Sequence, residues 1–117
     1  MSRKNKLLEA PPYAVEQNLK KLGADLRTAR VRRKLTVAEV ANKIGTGIRA
    51  VSDAEKGKAS TGIGIYLALL WAYDLLEHMN KVADPVYDSE GQRLSLSQER
   101  TRVRHSSTLN GDIDNDF

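Results

Sequence analysis

Few residues in this chain have chemical reach. His78 and His105 are the two histidines, and there is no cysteine. That excludes a disulfide framework, cysteine-ligated zinc, an iron–sulfur cluster and a thiol nucleophile. His78 has no second ligand one helical turn on, so it reads as an ordinary surface or cap residue. No Ser/His/Asp set and no paired carboxylates point to catalysis, so the expectation is a non-enzyme with no catalytic residues, no metal and no cofactor. Gly62-Ile63-Gly64 begins like a phosphate loop, but Leu67 stands at the third glycine position and no strand precedes it. Asp112, Asp114 and Asp116 alternate like the start of a calcium loop, but the glycine and glutamate that should follow are missing, leaving an acidic tail.

What remains is charge. The 117 residues hold 19 Lys/Arg against 15 Asp/Glu, for a net +4. It is unevenly placed: residues 1–83 carry +7 and residues 84–117 carry −3. The basic part is also the apolar part, which suits contact with a polyanion. Met1–Lys6 is basic but no apolar signal core follows it. The longest apolar run, Ile63–Tyr73, has eleven residues, whereas a membrane span needs about 20. The expectation is a soluble, cytoplasmic protein with no membrane partner.

The elements that would carry this charge are helical. Residues 1–17 are polar and hold Pro11-Pro12, which predicts a flexible N-terminal arm or linker. From Asn18, apolar residues at Leu19, Leu22, Leu26 and Ala29 predict a helix to about Lys34. Thr36 and Glu39 have the spacing of a capping box. Val37, Val40, Ala41 and Ile44 follow as the face of a second helix, which Gly45 ends. After the Thr46-Gly47 turn, Ile48 to Glu55 is a third, short helix closed by Gly57. Gly62–Tyr73 is a fourth, apolar nearly all round and so central, with Tyr66, Trp71 and Tyr73 as core or interface residues. Asp74 and Glu77 repeat the capping-box spacing ahead of a fifth helix carrying Leu75, Leu76, Met79 and Val82. Beyond Pro85, Asp88-Ser89-Glu90-Gly91 reads as a turn and Arg93–Leu96 as a short strand, in a largely disordered tail.

A capped helix, a Gly-containing turn and a short following helix make a helix-turn-helix. In that motif the second helix enters the major groove while the first crosses the backbone. The segment Leu22-Gly23-Ala24-Asp25-Leu26-Arg27-Thr28-Ala29-Arg30, then Leu35-Thr36-Val37-Ala38-Glu39-Val40-Ala41, Gly45, and Val51-Ser52-Asp53-Ala54-Glu55-Lys56-Gly57 resembles the Xre (phage Cro/repressor-type) helix-turn-helix family. The resemblance covers residues 18–83. It implies an all-α, five-helix repressor-type domain there, with an arm at 1–17 and a tail at 84–117. The stretch Ala83-Asp84-Pro85 to Asp88 is similar to the HipB-like antitoxins that sit beside HipA-type kinase toxins.

The resemblance implies that Arg30 and Glu55 form the family's ion pair, tying the first helix to the third. A semi-buried guanidinium and carboxylate need each other in two-point geometry. The recognition helix then presents Ile48, Arg49, Ser52 and Asp53 to the bases. Arg49 is the best reader, because a guanidinium can bond O6 and N7 of guanine together. Lys43, Thr46, Gly47, Lys56 and Lys58 are the expected phosphate contacts, with Arg27, Arg32, Arg33 and Lys34 decorating the first helix.

The chain departs from the family at Val37, where glutamine is usual, and at Gly47 and Ile48, which replace a polar pair. Asp53 adds a negative charge to the face that should approach DNA. The expected function is a sequence-specific DNA-binding transcriptional regulator, in the form of an autorepressing, HipB-like antitoxin. Its partners would be an operator duplex, a second copy of the chain and a HipA-like kinase toxin. The dimer surface would lie at Leu75, Leu76, Met79 and Val82 or near Leu94–Leu96. The alternative is the same fold used mainly as a protein-interaction module.

Overall fold

A computed structural model describes residues 5–108, and side chains as far as residue 102. Every regular element among the described residues is helical. The chain divides into two units, Met1–Glu77 and His78–Phe117.

In the first unit, α1 (Lys6–Glu9) is a single turn capped by Asn5, whose side chain accepts the Leu7 N–H at 2.9 Å. The long helix α2 spans Tyr13–Arg32. It therefore begins five residues before the predicted start, inside the segment read as an arm. Pro11-Pro12 stops helix only up to itself. Pro12 sits at the N-cap, and the first-turn N–H groups that follow have no intrahelical partner in any helix. At the other end Lys34 takes a left-handed φ of 56°, and Leu35 N–H returns to the Arg30 carbonyl at 3.3 Å.

Helix α3 (Val37–Ile44) opens on the capping box: Glu39 N–H donates to the Thr36 hydroxyl and Thr36 N–H to the Glu39 carboxylate, both at 3.0 Å. Gly45 ends it at φ 80°, and Thr46 N–H closes back on the Ala41 carbonyl at 2.9 Å. Helix α4 spans Ile48–Glu55 and α5 spans Ile63–Ala72. The core is built where these helices meet, from Leu26 and Ala29 on α2, Val40 and Ala41 on α3, Val51 and Ala54 on α4, and Tyr66, Leu69, Leu70 and Tyr73 on and just after α5. Although α5 is apolar all round, it is only half enclosed: Ile63 and Trp71 stay 67% and 56% exposed.

The predicted fifth helix is present, in a tighter form and with a different start. Residues Leu76–Lys81 form a 3-10 helix, and Asp74 is not its cap. Asp74 has φ 59° because it completes the exit from α5, where Leu75 N–H bonds the Leu70 carbonyl at 2.8 Å. A residue in the left-handed region at one helix end cannot also hold the extended backbone of an N-cap.

The second unit corrects the predicted strand. Asp84 caps a short 3-10 helix, Pro85–Tyr87, by accepting the Val86 N–H. Ser89–Thr108 is then one helix, α6, which includes Arg93–Leu96. The acidic cluster read as a turn is its N-terminus: Asp88 Oδ1 accepts the Gly91 N–H at 2.9 Å, and Gln92 Nε2 reaches the Pro85 carbonyl at 2.9 Å. Asp serves turns and N-caps equally well, and alternation over four residues is too short to separate the two periods. The acidic run at residues 112–116, and His105 as a side chain, lie outside what is described.

Candidate nucleic-acid interface

The geometry of α4 is fixed first by two glycines. A Cβ on Gly23 of α2 would lie 2.6 Å from the carbonyl oxygens of both Ala54 and Glu55 and 2.8 Å from the Gly57 nitrogen. Gly57, at φ 69°, has the reciprocal constraint: a Cβ there would lie 2.5 Å from the Leu19 carbonyl oxygen. Backbone therefore meets backbone where α2 passes the end of α4, a distance that no side chain permits.

The ion pair is the second constraint. Arg30 Nε donates to Glu55 Oε2 at 2.7 Å and Arg30 Nη2 to Glu55 Oε1 at 3.0 Å. The remaining Nη1 donates to the Leu35 carbonyl at 2.9 Å. The two side chains are 12% and 8% exposed. The carboxylate raises the Arg30 pKa above its ordinary value despite the opposing effect of burial. Beside it, burial pushes the Tyr73 phenol up, and the Glu55 charge adds to the effect.

Sequence reasoning placed Arg33 among the surface cations. In the structure it is a clamp: Nη1 donates to the Ala29 carbonyl and Nη2 to the Tyr73 carbonyl, each at 2.9 Å. Its guanidinium also lies 5.5 Å from the centre of the Tyr73 ring, a cation–π distance. Its position just past a helix C-terminus, where basic side chains bond the last carbonyls, was the signal available.

On α4 itself, Val51 and Ala54 face the core. At about 100° per residue, Arg49 and Lys56 fall opposite them, flanked by Ser52 and Asp53. Arg49 and Lys56 are exposed and, among the described residues, neither makes an ion pair or hydrogen bond through its side chain. Ile48 lies at the edge of this face, 57% exposed. Ser52 and Thr46 are half-buried, and Gly47 is exposed. Gly47 is the N-cap of α4 and supplies no side-chain cap, so the orphan N–H groups of the first turn keep their polarity for an acceptor outside the helix.

The remaining expected contacts are already engaged. Lys43 Nζ lies 3.4 Å from the Ala72 carbonyl at the end of α5. Lys58 pairs with Asp53, Nζ to Oδ1 at 3.1 Å. The structure thus brings together Arg30 with Glu55 and Asp53 with Lys58, and among the described residues it leaves Arg49 and Lys56 as free cations of the α4 face. Among the described residues no group of three or more His, Asp or Glu is placed to hold a metal ion. No helix there is long and apolar enough to cross a membrane.

No curated protein matches this chain at significance, and no solved structure does. A family model described as a helix-turn-helix domain matches residues 21–79, half of the chain. That span runs from the α2 turn bearing Gly23 through the α3–α4 pair and α5. With the capped first helix, the left-handed glycine and the short second helix all at their places in that span, the chain belongs to the helix-turn-helix domain family.

Proposed function

We propose that this protein is a sequence-specific DNA-binding transcriptional regulator that lays α4 in the major groove. The observation that carries the reading is Arg49: a guanidinium without a partner among the described residues, at the middle of the exposed face of α4 and opposite the buried Val51 and Ala54. Such a group can bond guanine O6 and N7 together. Ile48 offers an apolar contact for a thymine methyl, and Ser52 a hydroxyl. Lys56 and the free N–H groups at Gly47–Arg49 meet phosphates, whose neutralisation gives affinity that falls with salt. Val37 has no hydrogen-bond donor where a glutamine amide would reach a phosphate, so α4 and its flanks supply most of the affinity.

A single eight-residue helix offers few readers, so the regulator acts as a homodimer on a two-fold site with half-sites about one helical turn apart, roughly 34–36 Å. Exposed Leu94 and Leu96 on α6 support a dimer surface in the second unit. The finer reading has two parts: an Xre-type autorepressor rests on the resemblance over residues 18–83, and a role as antitoxin to a HipA-like kinase rests on the resemblance at residues 83–88 alone. Co-purification with a kinase encoded beside it tests that reading.

Selection of bound sequences from a random duplex pool, followed by binding measurements over a salt series, tests the main proposal. Enrichment of a guanine-containing two-fold motif supports it, and no binding even at low salt overturns it. In that event the exposed Ile48 favours the second reading, a helix-turn-helix surface that binds protein.

A further inference from the structure

Asp53 is the residue of α4 that a DNA-facing surface explains least, because a carboxylate near phosphates is repelled unless it accepts from a cytosine amino group. The structure gives it another occupation. After Glu55 the chain reverses through Gly57 in the left-handed region. Gly57 N–H bonds the Ala54 carbonyl at 2.9 Å, and Lys58 N–H returns to the Asp53 carbonyl at 3.1 Å. This reversal commonly brings an apolar pair together at the two ends of its longer bond. Here those positions hold Asp53 and Lys58, and the pair is ionic, Oδ1 to Nζ at 3.1 Å.

The Lys58 backbone is also fixed from its other side. Its carbonyl accepts the Tyr66 hydroxyl at 3.0 Å and the Thr61 N–H at 3.1 Å. The ammonium is thus delivered to Asp53 from an anchored main chain. The two side chains remain partly accessible, Asp53 at 25% and Lys58 at 46%, so an ion from solution can compete.

We propose that Asp53 is a positioning residue that competes with the DNA backbone for Lys58 and touches no base. The inference rests on the DNA-binding reading above. An ammonium has three donors and can bridge Asp53 and a phosphate. The pair has no net charge, however, so this contact releases less of the counterion atmosphere than a free lysine would. The effect is to trim the sequence-independent share of affinity, leaving base reading by Arg49 a larger part of the whole.

The test uses the full chain and a short mixed-sequence DNA duplex as probe, with binding followed by fluorescence anisotropy over a salt series. Asp53→Asn keeps the shape and removes the charge. It is expected to bind the duplex roughly three- to tenfold more tightly at low salt, with a log–log salt slope steeper by about 0.9. In a Lys58→Ala background the same substitution is expected to gain nothing. Asp53→Ser repeats the measurement should Asn disturb folding, with thermal unfolding checking each variant. Weaker binding by Asp53→Asn would show that Asp53 meets a base and would overturn the inference, as would unchanged binding or a gain that persists without Lys58. If the unsubstituted protein binds no duplex at low salt, the DNA-binding reading falls and takes this one with it. If it binds and Asp53→Asn changes nothing, this inference alone falls.

Discussion

Arg30 holds Glu55 by two parallel bonds, 2.7 and 3.0 Å, and turns its third nitrogen to the Leu35 carbonyl. One side chain on α2 thereby fixes both the end of α4 and the link into α3. Because both partners are nearly out of solvent, removing one strands the other. Glu55→Ala is expected to destabilise the domain by ~3–5 kcal/mol, whereas the apolar pair Arg30→Met with Glu55→Leu recovers much of that loss. Denaturant unfolding of the three proteins decides it. A Glu55→Ala variant within a few tenths of a kcal/mol of the parent would show that the pair is not buried in solution.

The glycine contact makes a separate demand. Gly23→Ala places a methyl against the Ala54 and Glu55 carbonyl oxygens, which must then separate. The expected cost is about 1–3 kcal/mol, the usual range for overpacking. Gly57→Ala adds the strain of a left-handed alanine, roughly 1–2 kcal/mol. Gly47→Ala serves as the control, because nothing lies within 4 Å of its missing Cβ. Midpoints of urea unfolding should rank the parent first, Gly47→Ala slightly below it because alanine is a poorer N-cap than glycine, then Gly23→Ala, and Gly57→Ala lowest.

Acid should uncouple the α3 cap. The Thr36 N–H, followed by the Thr36 hydroxyl, holds the Glu39 carboxyl below its ordinary value of 4.5. A carboxyl depressed by folding contributes stability above its ordinary pKa, and that contribution is lost as pH falls through the depressed value. The stability difference between the parent and Glu39→Ala should therefore be present at neutral pH and shrink as the pH drops below 4.5. A difference that stays constant into acid would mean that the charge of Glu39 has no part in the cap. Thr36→Ala removes the hydroxyl acceptor and is expected to cost about 1 kcal/mol.

These positions also show what the sequence made legible. Thr36, Glu39 and Gly45 bracket α3 because each signal acts within one turn of its own helix, and local signals survive without tertiary information. The Gly23, Arg30, Glu55 and Gly57 set was readable through spacing that resembles a family. Asp74 misled because its role depends on how α5 ends, a fact held in neighbours rather than in the Asp-x-x-Glu pattern. Tyr13–Gln17 and Arg93–Leu96 are helical because a proline bars helix only before itself and a four-residue alternation does not interrupt a longer helix. Arg33 reads as decoration of the first helix and Lys58 as a phosphate contact, because long cationic side chains carry no sequence mark of where they point. Their partners, the Tyr73 carbonyl and Asp53, become visible only once the chain has turned back.

The most direct measurement is the binding of selected and scrambled duplexes by the parent and Arg49→Ala, each over a salt series. If α4 reads bases through Arg49, the parent prefers the selected duplex. Arg49→Ala then loses roughly 1–3 kcal/mol of that preference, concentrated at one guanine position, while its weaker, salt-dependent binding to the scrambled duplex persists. A parent that binds neither duplex at low salt, or an Arg49→Ala protein that keeps the full preference, would contradict DNA reading by α4.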